Sequence, residues 1–181
     1  VLSVGDKATD LVAERVDLAV RLTNTLDPTM ITRPLARCRS MLCASPDYLK
    51  RHGVPHTAED LRQHRCIAHA FGIGKQYRFT RGGETLTVPV DWSFHTNETA
   101  VLRRAVISGA GVGMLPTYYL GDDLHAGRLV HLLPDHEPDV LGIHAIYLSR
   151  QHQPLALRLL VDFLAVRFAG DPAPWDLALQ I

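Results

Sequence analysis

The chain has no apolar run approaching ~20 residues, so nothing in it reads as spanning a membrane. It has no net charge: 19 basic side chains cancel 19 acidic ones, and no Lys/Arg cluster stands out. Such a chain is a poor candidate for binding nucleic acid by itself, because phosphate contacts need a basic footprint. No signal peptide is visible. Cysteine is scarce. Its three copies, Cys38, Cys43 and Cys66, are odd in number and lack CxxC spacing, which argues against a disulfide framework and against a zinc ribbon. Cys38 and Cys43 are expected on one strand with opposite orientations, where they cannot share a metal. They read as buried, reduced thiols of a cytosolic protein.

Catalytic and metal signatures are also missing. His52 and His56 are four apart, but Gly53 and Pro55 break any helix between them. His136-Glu137 is followed by Pro138, which defeats HExxH. Ser108 lies in "ISGAG" without the preceding glycine of a nucleophile elbow. His69, His95 and His144 alternate with apolar residues and read as partly buried imidazoles. These absences favour a binding protein over an enzyme, with no metal and no cofactor.

What is present is an α/β pattern. The 181 residues are 46% hydrophobic and 21% charged, enough for one or two domains with real cores. The chain opens on Val1–Val4 without a Met and reads as a strand remnant, its N-terminal portion missing. Asp6 is expected to cap a helix carrying Ala8, Leu11 and Val12 inward, before a strand at Asp17–Leu22; together they predict a parallel βαβ unit. Leu35–Ala44 reads as one long extended segment. "SPDYLKRHG" then orders every helix signal: Ser45 as N-cap, Pro46 at N1, basic residues in the last turn, Gly53 after it. Thr57 and Asp60 approximate a capping box.

Further on, "YRFTRGGETLTVPV" predicts a hairpin turning at Gly82-Gly83. Asn97 is expected to cap a helix over Glu98–Ser108, with Val101, Leu102, Ala105 and Val106 on its inner face. Gly142–Ser149 reads as a long strand. The last helix begins near Pro154, with Leu157, Leu160, Val161 and Leu164 facing inward, Arg158 and Asp162 outward. Trp175 is expected to dock the tail.

Three alternating glycines, Gly109, Gly111 and Gly113, pose a specific question. Dinucleotide sites run strand, glycine loop, helix, so that the helix N-terminus faces the phosphates. Here the helix precedes the glycines, and phosphates would face its negative end. Gly109 or Gly111 is therefore expected to end the helix in a left-handed conformation, with a strand following. The other end of that helix is the better site. Thr96 and Asn97 sit where a strand yields to a helix, the usual ligand position in open α/β sheets.

The stretch "HTNETAVLRRAVISGAGVGMLPTYYLGDDLHAGRLVHLLP", followed by "IHAIYLSRQHQPLALRLLVDFLAVRF", resembles the effector-binding domain of LysR-type transcriptional regulators. Upstream, "DLVAERVDLAVRL" and "RPLARCRSMLCASPDYLKRHGVPHTAEDLRQHRCI" fit the same family, so the resemblance runs roughly from Val1 to Ala169. It implies a type 2 periplasmic-binding-protein-like fold: two Rossmann-like α/β lobes joined by two crossing strands. Lobe one is expected over 1–38 and 146–181, lobe two over 39–145. The resemblance further implies a small effector, commonly an organic acid, between the lobes, and a cytoplasmic homodimer, possibly a tetramer at full length. DNA would be bound only through a winged helix-turn-helix not found here. The positions that carry over as effector-binding are Arg21, Thr23, Arg39, Phe71, Thr96, Asn97 and Gly113. A periplasmic solute-binding protein of the same fold is the alternative.

Overall fold

The structure is a computed structural model that describes residues 1–5, 10–70, 76–148, 154–177 and 179. Its elements begin with β1 (Ala19–Leu22), β2 (Ile31–Cys38), β3 (Ser40–Ala44), α1 (Pro46–His52), a 3-10 turn (Glu59–Gln63) and β4 (Cys66–His69). Next come β5 (Gln76–Arg81), β6 (Glu84–Pro89), β7 (Trp92–Thr96), α2 (Thr99–Ile107) and β8 (Val112–Pro116). A 3-10 turn (Thr117–Tyr119), α3 (Gly121–His125), β9 (Val130–His131) and β10 (Glu137–Pro138) lead to β11 (Leu141–Tyr147), α4 (Leu155–Arg167) and α5 (Pro174–Leu177). The chain divides into two compact units, Val1–Lys7 with Arg39–Asp139, and Ala8–Cys38 with Val140–Ile181.

The first unit is built on a sheet ordered β7-β4-β8-β3-β9. β4 is parallel to both β7 and β8, while β3 runs antiparallel to β8 and β9. Helix α2 leaves β7 on one side of β4 and delivers β8 on the other. A hairpin of β5 and β6 turns at Gly82 and Gly83, both at positive φ, as its sequence predicts. The core gathers Leu42, Tyr48, Leu61, Phe79, Val88 and Val112. The signals of α1 hold: the Ser45 hydroxyl accepts the Tyr48 N–H at 3.3 Å, and Gly53 closes the helix at φ 84°. Thr57 and Asp60 bond each other reciprocally, Asp60 Oδ2 accepting the Thr57 N–H at 2.9 Å and the Thr57 hydroxyl accepting the Asp60 N–H at 3.3 Å.

The glycines after α2 are structural. Gly109 has φ 77° and its N–H bonds the Val106 carbonyl, while the Ala110 N–H bonds the Ala105 carbonyl. This pair of bonds is a Schellman motif, which satisfies carbonyls that the helix end would orphan. Strand β8 follows directly. A Cβ at Gly111 would collide with the Arg65 carbonyl oxygen, and one at Gly113 would lie 2.6 Å from a Val106 methyl. Two of the three glycines thus allow backbone and helix to approach closely.

The second unit centres on the sheet β1-β11-β2, antiparallel throughout. The expected parallel βαβ unit is therefore not formed: β1 pairs with β11, and Val1–Gly5 lies in no strand. In place of the expected helix, residues 11–15 form turns in which the Asp10 carboxylate accepts the Val12 and Ala13 N–H groups. Asp6 and Ala8 lie outside the described residues. The segment expected as one long strand is two, broken at Arg39, so Cys38 and Cys43 occupy different strands in different units.

Leu35, Cys38, Ile143, Ala145 and Tyr147 form the core of the second unit with Val161 of α4. Leu157 and Leu164 pack against it as expected, but Leu160 is 46% exposed. Leu155, Leu159, Phe163 and Val166 form an exposed apolar stripe at helical spacing. Asp162 pairs with Arg33 of β2. Trp175 packs edge-on against Phe168 and docks α5.

Candidate functional site

In the first unit, β4 and β7 end side by side, with His69 opposite Thr96 and the Ala70 N–H bonding the Thr96 carbonyl at 2.7 Å. Helix α2 starts three residues past Thr96. The carboxyl ends of parallel strands and a helix N-terminus therefore meet here, which is where free N–H groups and the positive helix pole favour a polar ligand.

The turn itself differs from expectation. Asn97 does not cap α2; Glu98 does, its carboxylate accepting the Ala100 N–H at 3.3 Å. The cause is a local turn upstream. The Thr96 hydroxyl accepts the Glu98 N–H at 3.2 Å, which places Asn97 at the exposed tip and delays the first helical residue to Thr99. The pole of α2 thus already holds a carboxylate of the chain's own.

Gly113 lies in β8 under α2, opposite Cys43. Arg39 stands at the break between β2 and β3, where its carbonyl accepts the N–H and the hydroxyl of buried Thr117 at 3.0 and 3.2 Å. Phe71 lies outside the described residues.

In the second unit, Arg21 is in β1, directly opposite His144 of β11. Thr23 follows the strand: its N–H bonds the Gly142 carbonyl at 2.9 Å, and its hydroxyl bonds the Thr25 backbone at 3.0 Å. The His144 imidazole folds over Gly142, which has no room for a Cβ beneath it. Arg21 and Thr23 are therefore brought together at one end of β1, and Thr96 and Asn97 at the end of β7. Of the expected partly buried histidines, His69 and His144 are so placed, whereas His95 is exposed.

Three positions escaped the sequence reading. Asn24 clamps the start of β11, donating to the Val140 carbonyl at 2.8 Å and accepting the Gly142 N–H at 2.9 Å. No local signal reveals this, because the partners lie far along the chain. Glu98 was legible only as a helix residue, although Thr96-x-Glu98 fits a side-chain turn followed by a carboxylate cap. Asp123 is fully buried between Arg103 and Arg128, accepting their Nε–H groups at 2.6 and 2.7 Å. In sequence it is one of two adjacent aspartates in "DDLHAG", a stretch that reads as a helical turn.

Burial pushes all three thiols up to about 12, with Asp176 beside Cys38 and Asp123 beside Cys43 adding to the effect. Among the described residues no group of three or more His, Cys, Asp or Glu side chains is arranged to hold a metal.

Against known families, residues 1–169 match the LysR substrate binding domain. A probable HTH-type transcriptional regulator, LtrA of Klebsiella pneumoniae, is 33% identical over 91% of this chain and 54% of its own length. The HTH-type transcriptional regulator DmlR of Escherichia coli is 30% identical over 92% of this chain and 54% of its own length. Among solved structures, the full-length virulence activator AphB of Vibrio cholerae superposes with a TM-score of 0.76 at 29% identity, covering 88% of this chain and 55% of that one. The regulatory domain of CrgA from Neisseria meningitidis gives 0.77 at 25% identity, covering 90% and 81%. The chain spans about half the length of the curated relatives it matches. The fold is the α/β, type 2 periplasmic-binding-protein-like fold of such regulatory domains.

Proposed function

Because the chain belongs to the LysR substrate-binding domain family, we propose that it is the sensing part of a cytoplasmic, LysR-type transcriptional regulator. In this reading a small effector binds between the two lobes and favours one arrangement of them. The preference is transmitted through a homodimer to DNA-binding domains outside this chain. The mechanism is a population shift, limited by how much more tightly the effector binds one state than the other.

The observation that carries the reading is the turn Thr96–Glu98, where β7 ends beside β4 and α2 begins. The Thr96 hydroxyl accepts one bond from its own turn and keeps a proton to donate. Arg21 and Thr23 supply a cation and a second hydroxyl at the end of β1. A small organic acid suits that cation, while the Glu98 carboxylate selects against anions bulky or charged enough to crowd the α2 pole. Arg39, Phe71, Asn97 and Gly113 are carried as the rest of the proposed site on family resemblance.

The test is a thermal-shift screen of the full-length regulator against small carboxylates and their neutral amides. A ligand at 100-fold its Kd adds about 2.7 kcal/mol, well within detection. A carboxylate that stabilises wild type, but not an Arg21→Ala variant, supports the reading. Stabilisation that survives both Arg21→Ala and Thr96→Val moves the site elsewhere. Sedimentation of the same protein tests the dimer.

A further inference from the structure

We propose that Tyr48 and His64 form a pH-sensitive latch that ties α1 to the start of β4, closed while His64 is neutral and opened when it is protonated. The latch belongs to the first unit and lies at the amino end of β4, away from Thr96 at its carboxyl end, so it is independent of the effector reading.

Tyr48 is fully buried, and its Oη has two partners among the described residues. The backbone N–H of Arg65 donates to it at 2.9 Å, and His64 Nδ1 lies 3.1 Å away. A backbone N–H only donates, so Oη accepts from Arg65 and spends its own proton on His64. Nδ1 must then be a bare acceptor. This fixes His64 as the neutral imidazole with its proton on Nε2. With Nδ1–H instead, Oη would have to accept both N–H groups, and the phenol proton would find no acceptor among the described residues.

Protonation puts a hydrogen on both ring nitrogens. Nδ1–H then faces the phenol O–H, whose proton must swing to a buried position that offers no acceptor among the described partners. The O–H···Nδ1 bond is lost, and the hydroxyl that receives the Arg65 N–H has to turn. Arg65 is a junction. Its carbonyl accepts the Val112 N–H that opens β8 at 2.8 Å, and Gly111 packs with no room to spare against that same carbonyl. Opening the latch therefore loosens the point where the 3-10 turn, β4 and β8 are joined.

The surrounding charges are few. From α1, His52 stacks on the Tyr48 ring with centroids 4.5 Å apart, and Arg51 lies near the phenol. From the 3-10 turn comes Asp60, and from the start of β4 come Arg65 and Cys66. Burial, and then His52, hold His64 below the ordinary imidazole value of 6.5, against the opposing pull of Asp60. Burial also raises Tyr48, which therefore remains the donor throughout. The sign follows. As pH falls through 6.5 the unfolded chain takes up the proton first, so the stability contributed by neutral His64 is lost on acidification.

Nitrogen NMR of the imidazoles reads the latch directly. At neutral pH His64 of this chain is expected as the Nε2–H tautomer, and acidification is expected to speed exchange of the Arg65 amide beyond its intrinsic pH dependence. In His64→Gln the amide oxygen accepts the phenol proton without titrating. Its melting temperature should fall less than that of wild type between about pH 7.5 and pH 5.5, a window that brackets free imidazole. Tyr48→Phe should leave His64 without a fixed tautomer. An Nδ1–H tautomer in wild type, or the same acid-induced loss of melting temperature in His64→Gln, overturns the proposal. Should either variant fail to fold, the wild-type tautomer decides alone.

Discussion

The carboxylate of Asp123 accepts the Nε–H of Arg103 at 2.6 Å and so fastens α3 to α2. Arg128 closes on its other oxygen at 2.7 Å. The aspartate is completely buried, whereas the arginine side chains are 28% and 47% exposed. Removing the aspartate leaves cations that water can reach, and removing both cations strands a buried anion. Asp123→Asn is therefore expected to cost about 1–3 kcal/mol, and the double variant Arg103→Ala/Arg128→Ala about 3–5 kcal/mol. Urea unfolding of the three proteins checks the order.

Substituting the glycines should give a graded series. Gly109→Ala adds a Cβ at φ 77° and presses on the movable Arg51 guanidinium, a cost of about 1 kcal/mol. Gly113→Ala meets a Val106 methyl in a packed core and should cost about 1–3 kcal/mol. Gly111→Ala meets the Arg65 carbonyl, which cannot step aside, and should be the most damaging of the three. Chemical denaturation of each variant measures the series.

At the α2 pole, Asn97→Ala should leave stability nearly unchanged, because Glu98 and not Asn97 holds the cap. Thr96→Val should lower effector affinity by about 1 kcal/mol through one lost hydrogen bond, and should also loosen the turn that Glu98 completes. Glu98→Gln keeps an acceptor for the Ala100 N–H but removes the charge, so carboxylate effectors should bind more tightly. Calorimetric titration of the full-length variants with the effector found by screening distinguishes these outcomes.

The cysteines should be silent toward thiol reagents in the folded chain near neutral pH and all react on unfolding, since each is buried with its thiol raised to about 12. The same shift predicts alkaline weakening. Above 9.0 the unfolded thiols release their protons while the native ones retain them, so stability falls as pH climbs from there toward about 12. Thiol titration with a chromogenic disulfide, native and denatured, provides the check.

Local chemistry determined what the sequence alone made legible. Ser45 and Pro46 start α1, Gly82-Gly83 turns a hairpin, and Gly109 ends α2, because caps and left-handed turns depend on a few neighbouring backbone groups. The family resemblance rested on whole stretches of sequence occurring in order between Val1 and Ala169. Only tertiary structure decided which strands pair. β1 lies against β11 rather than beside a nearer neighbour, since an edge of hydrogen-bonding groups takes whichever partner the whole chain presents. The same holds for Asn24 bridging to Val140 and Gly142, for Asp123 between its arginines, and for Tyr48 meeting His64 and Arg65. In each the side chains are unremarkable in sequence and acquire a role only when other parts of the chain close around them, burying Asp123 and Tyr48 while Asn24 stays exposed. The Thr96–Glu98 turn is the intermediate case. A three-residue hydrogen bond settled whether Asn97 or Glu98 capped the helix, and two neighbouring acceptors competing for one helix end are too evenly matched for composition to choose.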